Sequence, residues 1–189
     1  MLLGEKIKTK LSEPNTLTMG RVAAIPLIVI LLYFPNRVCT FLAALLFSAA
    51  AITDYLDGYL ARTRGLVSTF GKIMDPVADK LLVSSSFIML VYHGWIPAWV
   101  VCIIIGRELA VTGLRNIIAG RGEDVSASWL GKYKTGFQIA ALIPLIIHYR
   151  FIGLEVHVVG MFFLWGALVF TLWSGADYFL KARHLFDDI

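Results

Sequence analysis

Asp54-Tyr-Leu-Asp57-Gly58-Tyr-Leu-Ala61-Arg62 and, after eight further residues, Gly71-Lys72-Ile-Met-Asp75-Pro76-Val-Ala-Asp79-Lys80 set four carboxylates into a chain that is otherwise mostly apolar. At about 100° per residue, Asp54, Asp57, Gly58 and Ala61 share one helix face, and Asp75 and Asp79 lie one turn apart on another. Two short-spaced pairs on neighbouring helices can converge on one point. Carboxylates in or near a bilayer are costly and need cations. An all-oxygen set of this size suits magnesium, manganese or calcium better than zinc. Gly58 and Ala61 leave their face nearly bare, so a ligand can approach the backbone closely.

The composition says where this stretch resides. Of 189 residues, 58% are hydrophobic and 16% charged, and the mean hydropathy is +0.76. A soluble domain has about 45–50% apolar and about 25% charged residues, so the chain reads as an integral membrane protein. The first apolar run follows a polar, lysine-containing segment and is long enough to span, which argues against a cleaved signal peptide. Cys39 and Cys102 lie in apolar runs and read as small core residues, neither disulfide-bonded nor metal-bound.

In residues 1–13, Leu3, Ile7 and Leu11 recur at four-residue spacing, with Glu5, Lys6 and Lys8 largely opposite. This predicts a short amphipathic helix on the membrane surface, ended by Pro14-Asn15-Thr16. Residues 14–189 then form the membrane domain. Six apolar segments, 17–34, 38–62, 72–92, 96–119, 129–149 and 154–181, each approach or exceed the ~20 residues that span about 30 Å of hydrocarbon. With both termini inside, the cytoplasmic side collects Lys6, Lys8, Lys10, Arg21, Arg62, Arg64, Lys72, Lys80, Arg107, Arg115, Arg121, Lys132, Lys134, Lys181 and Arg183, leaving Arg37 and Arg150 outside. That asymmetry predicts an all-α protein of six transmembrane helices with cytoplasmic termini and the carboxylates toward the cytoplasmic half. Pro26 and Pro144 fall within spans, as membrane helices tolerate.

Three readings of the aspartates compete. Asp75 before Pro76 could cap a helix, which explains one aspartate of four. Intramembrane carboxylates could carry cations or protons in a transporter. Or they could hold metal ions for chemistry on a phosphorylated lipid. The basic residues favour the last. Arg62, Arg64 and Lys72 flank the aspartates, and Arg107, Arg115, Lys132 and Lys134 fall at the same expected membrane level. Arg107 is embedded in apolar sequence, and Glu108 leaves the helix about 100° away, so a ligand phosphate is its expected partner. Arg121, Lys181 and Arg183 need only the topology rule.

Asn15, Thr18 and Arg21 recur every three residues at a helix N-terminus, where backbone N–H groups favour anions; capping by Asn15 or Thr16 is the competing account. His93, His148, His157 and His184 show no metal-ligand spacing. Trp95, Trp99, Trp129 and Tyr149 fit interfacial belts. Thr135 and Gln138 read as hydrogen-bonders within the bundle, with lining of the pocket as the alternative. Ala167, Thr171 and Gly175 permit close helix packing, within the bundle or between protomers.

Asp54-x-x-Asp57-Gly58-x-x-Ala61-Arg62, eight residues, then Gly71-x-x-x-Asp75-x-x-x-Asp79 resembles the complete signature of the CDP-alcohol phosphatidyltransferase family. Pro14 through Arg21, Gly106 through Arg115, Gly131 through Thr135 and Thr171 through Ser174 extend the likeness over most of the chain. They are similar to the bacterial branch that takes glycerol-3-phosphate as acceptor. The resemblance implies a six-helix membrane bundle in the bacterial cytoplasmic membrane, usually a homodimer, with a polar cavity open to the cytoplasm. It implies transfer of a phosphatidyl group from CDP-diacylglycerol to an alcohol, with release of CMP. By the same resemblance Asp54, Asp57, Asp75 and Asp79 hold two magnesium or manganese ions, and Asp79 is also the general base. Asp57, Gly58, Ala61, Arg62 and Gly71 match the nucleotide-binding face, with Asn15, Thr18 and Arg21 closing over it. Arg107, Arg115, Lys132 and Lys134 match the acceptor-phosphate pocket. A phosphate dianion needs several fixed cations, which favours glycerol-3-phosphate over serine; inositol phosphate, or phosphatidylglycerol giving cardiolipin, stay open as acceptors. The basic residues imply no nucleic-acid role.

Overall fold

The computed structural model describes the backbone of residues 14–64, 69–120, 129–150, 153 and 155–183, and their side chains apart from 14–18, 54–64 and 69–73. The expected surface helix at 1–13 lies outside the described residues. Six helices follow one another: α1 Pro14–Tyr33, α2 Arg37–Arg64, α3 Thr69–Tyr92, α4 Ala98–Gly120, α5 Trp129–Ile147 and α6 Val156–Lys181. They coincide with the six apolar segments. The described residues contain no strand.

Two boundaries differ from expectation for local reasons. Pro14 opens α1; its fixed φ suits a first helical position and its missing N–H is not needed there. Asn15 and Thr16 are therefore inside the first turn, not before it. At the other end of the chain, α5 stops at Ile147 because His148 takes φ +60°, a left-handed conformation that a helix cannot continue through.

By chain position the molecule divides into two compact units, residues 1–89 with 146–149, and residues 90–145 with 150–189. In the first, α1 packs along α2. Ala24, Ile28 and Leu32 are buried at four-residue spacing on α1, and Ala43, Ala44, Phe47 and Ala50 on α2. The turn between them is set by one side chain: Asn36 Oδ1 accepts from the N–H groups of Val38 (3.1 Å) and Cys39 (2.9 Å), an N-cap that satisfies two otherwise orphaned donors. The Tyr149 hydroxyl donates to the Pro35 carbonyl, and Arg37 lies 5.6 Å from the centroid of the same ring. Tyr149 thus ties down this turn.

In the second unit α4 packs on α6. The small residues Ala167, Thr171 and Gly175 are buried there, so their spacing serves packing inside the bundle. Gly160 is tighter still: a Cβ at that position would lie 2.6 Å from Leu145 Cγ and 3.0 Å from the Leu145 backbone nitrogen. Gly160→Ala is therefore expected to cost about 1–3 kcal/mol through overpacking, read as a lowered thermal midpoint in detergent. Gly94 ends the connection after α3. Its φ is +69°, its N–H donates to the Val91 carbonyl (2.8 Å), and the Trp95 N–H donates to the Leu90 carbonyl (3.0 Å). These two bonds satisfy the last carbonyls of α3 through the left-handed turn that glycine adopts most cheaply. In the connection before α6, Arg150 Nη2 meets Glu155 Oε1 at 2.5 Å. The hydrogen bond and the charge opposite raise the Arg150 pKa and lower that of Glu155; both groups are in solvent, where such a pair contributes little.

Among the described residues α6 is the one helix long and apolar enough to cross a bilayer by composition alone; Met19–Tyr33 and Arg37–Thr53 are shorter apolar stretches. The other helices carry charges that lower their apolarity: Asp75, Asp79 and Lys80 in α3, Arg107, Glu108 and Arg115 in α4, Lys132 and Lys134 in α5. Cys102, expected in the core, is exposed on α4, and Cys39 is half-buried; neither forms a disulfide.

Candidate active site

In the first unit, α2 is continuous through Arg64. Its backbone register puts Asp54, Asp57, Gly58 and Ala61 on one face, as the spacing requires. The side chains of Asp54, Asp57, Arg62, Gly71, Asn15 and Thr18 lie outside the described set. α3 begins at Thr69, so Asp75 and Pro76 are well inside the helix. The capping reading of Asp75 is thereby corrected. A proline within a helix also removes the N–H that would bond the carbonyl four residues back, here that of Lys72. Lys72, Asp75 and Asp79 share one face of α3 by register. Lys80 Nζ donates to the Pro76 carbonyl at 3.2 Å.

α1 contributes a cation to this aspartate. Arg21 is buried, 3% exposed, and its Nη2 lies 3.2 Å from Asp75 Oδ1. Burying a guanidinium requires a counter-charge, and Asp75 supplies it from across the unit. The residue expected over the nucleotide is therefore in contact with an aspartate expected at the metal. Among the described residues no group of three or more His, Cys, Asp or Glu side chains is assembled. The donor set nevertheless fits divalent metal. Asp75 and Asp79 are partly exposed carboxylates one turn apart on α3, and the α2 register pairs Asp54 with Asp57. Carboxylate oxygens are what magnesium and manganese take.

In the second unit the structure assembles a cluster of charged side chains. Glu108 Oε1 accepts from Arg107 Nη1 at 3.3 Å and from the Lys134 ammonium. Arg107 Nη2 donates to the Ser174 hydroxyl at 2.9 Å. Tyr178, 4% exposed, lies under two guanidiniums, 5.9 Å from Arg107 and 5.8 Å from Arg115. This corrects the expected isolation of Arg107. Adjacent helix residues do diverge by about 100°, but the long arginine side chain reaches back to its neighbour. Three cations and one carboxylate leave this cluster at net +2, the charge complement of a phosphomonoester dianion. Arg107 Nε in this cluster has no protein acceptor, nor has the buried Nε2 of Gln138, one turn beyond Lys134 on α5. Gln138 therefore departs from its expected role as a bundle hydrogen-bonder at that atom, while Thr135 bonds the Gly131 carbonyl at 3.2 Å.

Of the four cations expected at the acceptor, Arg107, Arg115 and Lys134 come together through Glu108 and Tyr178. Lys132 does not join them. It sits two residues from Lys134, on a different helix face, with its ammonium 4.6 Å from the Trp129 ring centroid. It borders an apolar groove lined by Trp129, Tyr133, Gly136, Phe137, Ala140 and Phe163.

Glu108, Ser174 and Tyr178 were not among the residues expected at the site. The signal for the last two was present in the sequence. Thr171, Ser174, Gly175 and Tyr178 follow the i, i+3, i+4, i+7 spacing of a single face in an otherwise apolar helix, and such a stripe within a span is a functional marker.

The family model for CDP-alcohol phosphatidyltransferases matches residues 11–173. The CDP-diacylglycerol–glycerol-3-phosphate 3-phosphatidyltransferase of Bacillus subtilis (strain 168) is 44% identical over 184 residues, covering 89% of this chain and 93% of that protein. The protein of the same name from Rickettsia typhi is 41% identical over 174 residues, 92% of this chain and 98% of its own. That of Escherichia coli (strain K12) is 39% identical over 174 residues, 90% and 94% respectively.

Proposed function

Because the chain belongs to the CDP-alcohol phosphatidyltransferase family, we propose that it transfers the phosphatidyl group of CDP-diacylglycerol to glycerol-3-phosphate, giving phosphatidylglycerophosphate and CMP. The observation that carries the choice of acceptor is the cluster of Arg107, Arg115 and Lys134 around Glu108, whose net +2 complements a phosphate dianion. A neutral or zwitterionic acceptor needs no such seat. The names of the relatives point to the same acceptor.

In this reading Asp54, Asp57, Asp75 and Asp79 hold two divalent ions, magnesium or manganese. Metal held by these carboxylates would supply neutralisation of the pyrophosphate charge. Gly58, Ala61, Arg62 and Gly71, with Asn15, Thr18 and Arg21, bind the CDP moiety. The Asp79 carboxylate takes the proton from the acceptor hydroxyl. The hydroxyl oxygen bonds to the β-phosphorus, the bond from that phosphorus to the bridging oxygen breaks, and CMP departs with the bonding pair. Arg107, Arg115 and Lys134 hold the acceptor's phosphate; Lys132, over Trp129, serves the rim of the pocket.

Residues 14–189 form the membrane domain, preceded by a surface helix at 1–13. All six helices cross the bacterial cytoplasmic membrane, with both termini and the active site facing the cytoplasm, and the enzyme works as a homodimer. The distribution of charge supports this topology. Asp54 to Arg64 lie at the end of α2, Lys72 to Lys80 at the start of α3, Arg107 near the middle and Arg115 in the second half of α4, and Lys132 and Lys134 at the start of α5. In a chain that crosses at every helix, these ends face the same way.

CMP release by the purified protein tests the proposal. With CDP-diacylglycerol and magnesium or manganese, release is expected to require glycerol-3-phosphate and to stop on chelation with EDTA. Release driven instead by inositol phosphate, phosphatidylglycerol or serine would keep the family and discard the acceptor. Activity that survives full chelation would discard the metal.

A further inference from the structure

The two arginines of the acceptor seat leave α4 eight residues apart, about 12 Å along the helix axis at ~1.5 Å per residue. Both nevertheless end on one ring. Arg107 lies 5.9 Å and Arg115 5.8 Å from the Tyr178 centroid, inside the ~6 Å at which a guanidinium is attracted to an aromatic face. The buried ring thus offers the two like charges one shared attractive surface. The rest of α6 holds Arg107 in place. Ser174, one turn before Tyr178, accepts from Arg107 Nη2, while its own hydroxyl donates to the Phe170 carbonyl at 2.6 Å. Gly175 leaves the space that Arg107 fills, since a Cβ there would lie 3.2 Å from Arg107 Cγ and 3.6 Å from Nε.

We propose that Tyr178, with Ser174 and Gly175, is the positioning element of the acceptor seat: its ring gathers Arg107 and Arg115 into one anion site and so sets the preference for a phosphorylated acceptor. This rests on the reading of Arg107 and Arg115 as the acceptor's cations. Tyr178 touches neither substrate; it acts through the two arginines. Removing the ring lets them separate, and removing the hydroxyl alone does not. Gly175→Ala crowds Arg107 at Cγ, shifting it by a few tenths of an ångström, without touching the ring.

The experiment compares Tyr178→Leu, Tyr178→Phe, Gly175→Ala and Arg107→Ala with the native enzyme in detergent. It measures KM for glycerol-3-phosphate, KM for CDP-diacylglycerol, kcat and the thermal midpoint. Tyr178→Leu is expected to raise KM for glycerol-3-phosphate ~10-fold, with KM for CDP-diacylglycerol within about twofold. Tyr178→Phe stays within about twofold on both, and Gly175→Ala gives a smaller rise that is likewise selective for glycerol-3-phosphate. Equal loss for both substrates in the two site variants would make the role structural and overturn the proposal. If Tyr178→Leu does not fold, Gly175→Ala decides alone. If Arg107→Ala raises KM for glycerol-3-phosphate and neither α6 variant does, the positioning role fails while the acceptor seat stands. If Arg107→Ala leaves that KM unchanged, the acceptor seat itself is wrong.

Discussion

Asp79→Asn is expected to bind CDP-diacylglycerol nearly as the native enzyme does and to lose turnover by a factor of about 10²–10⁴, the usual contribution of a positioned general base. The side chain is isosteric, so α3 keeps its packing. The amide cannot accept a proton at the atom where the carboxylate did. Three of the four aspartates remain to hold the metal, and the nucleotide face on α2 is untouched. The decisive measurement is CDP-diacylglycerol binding in the presence of magnesium, set beside single-turnover release of CMP. Turnover within a few-fold of native would remove Asp79 as the base. Parallel loss of binding and turnover would make it a ligand-holding residue alone.

Arg107→Ala is expected to raise KM for glycerol-3-phosphate by about 10- to 100-fold, from the ~1.5–3 kcal/mol carried by a hydrogen bond to a charged group. The fold should survive, because Glu108 keeps Lys134 as its partner and Ser174 keeps its bond to the Phe170 carbonyl. Glu108→Gln should behave differently. It strips the shared carboxylate from two largely buried cations, Arg107 at 10% and Lys134 at 7% side-chain exposure, a loss that costs about 3–5 kcal/mol where a buried pair is broken. Thermal unfolding separates the two variants: Arg107→Ala moves substrate affinity, Glu108→Gln moves stability. A Glu108→Gln midpoint equal to the native one would show that the cations do not depend on this carboxylate.

The helices were legible because each is a long apolar segment between turn-forming residues, as at Pro35-Asn36 and His93-Gly94. Spacing alone also puts Asp75 and Asp79 on one helix face, while expected membrane level and apolar flanks single out Arg107, Arg115 and Lys134 as candidate cations. What spacing could not give was pairing. Arg21 meeting Asp75 is a contact across 54 residues, and Arg107 meeting Ser174 spans 67. Nothing in a helical period encodes which distant helix supplies a counter-charge. The Glu108 pairing was missed for another reason. A rule about where a side chain leaves the helix was applied to arginine, whose length lets its head group travel well beyond that direction. Lys132 stands apart from the Glu108 cluster because two residues from Lys134 in sequence is about 200° away around a helix.

The adjacency of Arg107 and Glu108 bears on how the protein is made as well as on what it binds. In the proposed topology α4 crosses the membrane; an arginine near the middle of such a helix raises the cost of insertion by about 3 kcal/mol, and α4 emerges from synthesis before α5 and α6 exist to receive it. Its counter-ion is the very next residue, so in that topology the segment would enter the lipid already locally neutral. Lys134 reaches the same carboxylate only when α5 arrives, and Ser174 and Tyr178 close on Arg107 last. The proposed acceptor seat would thus be assembled in the order of translation, around an anion present from the first step.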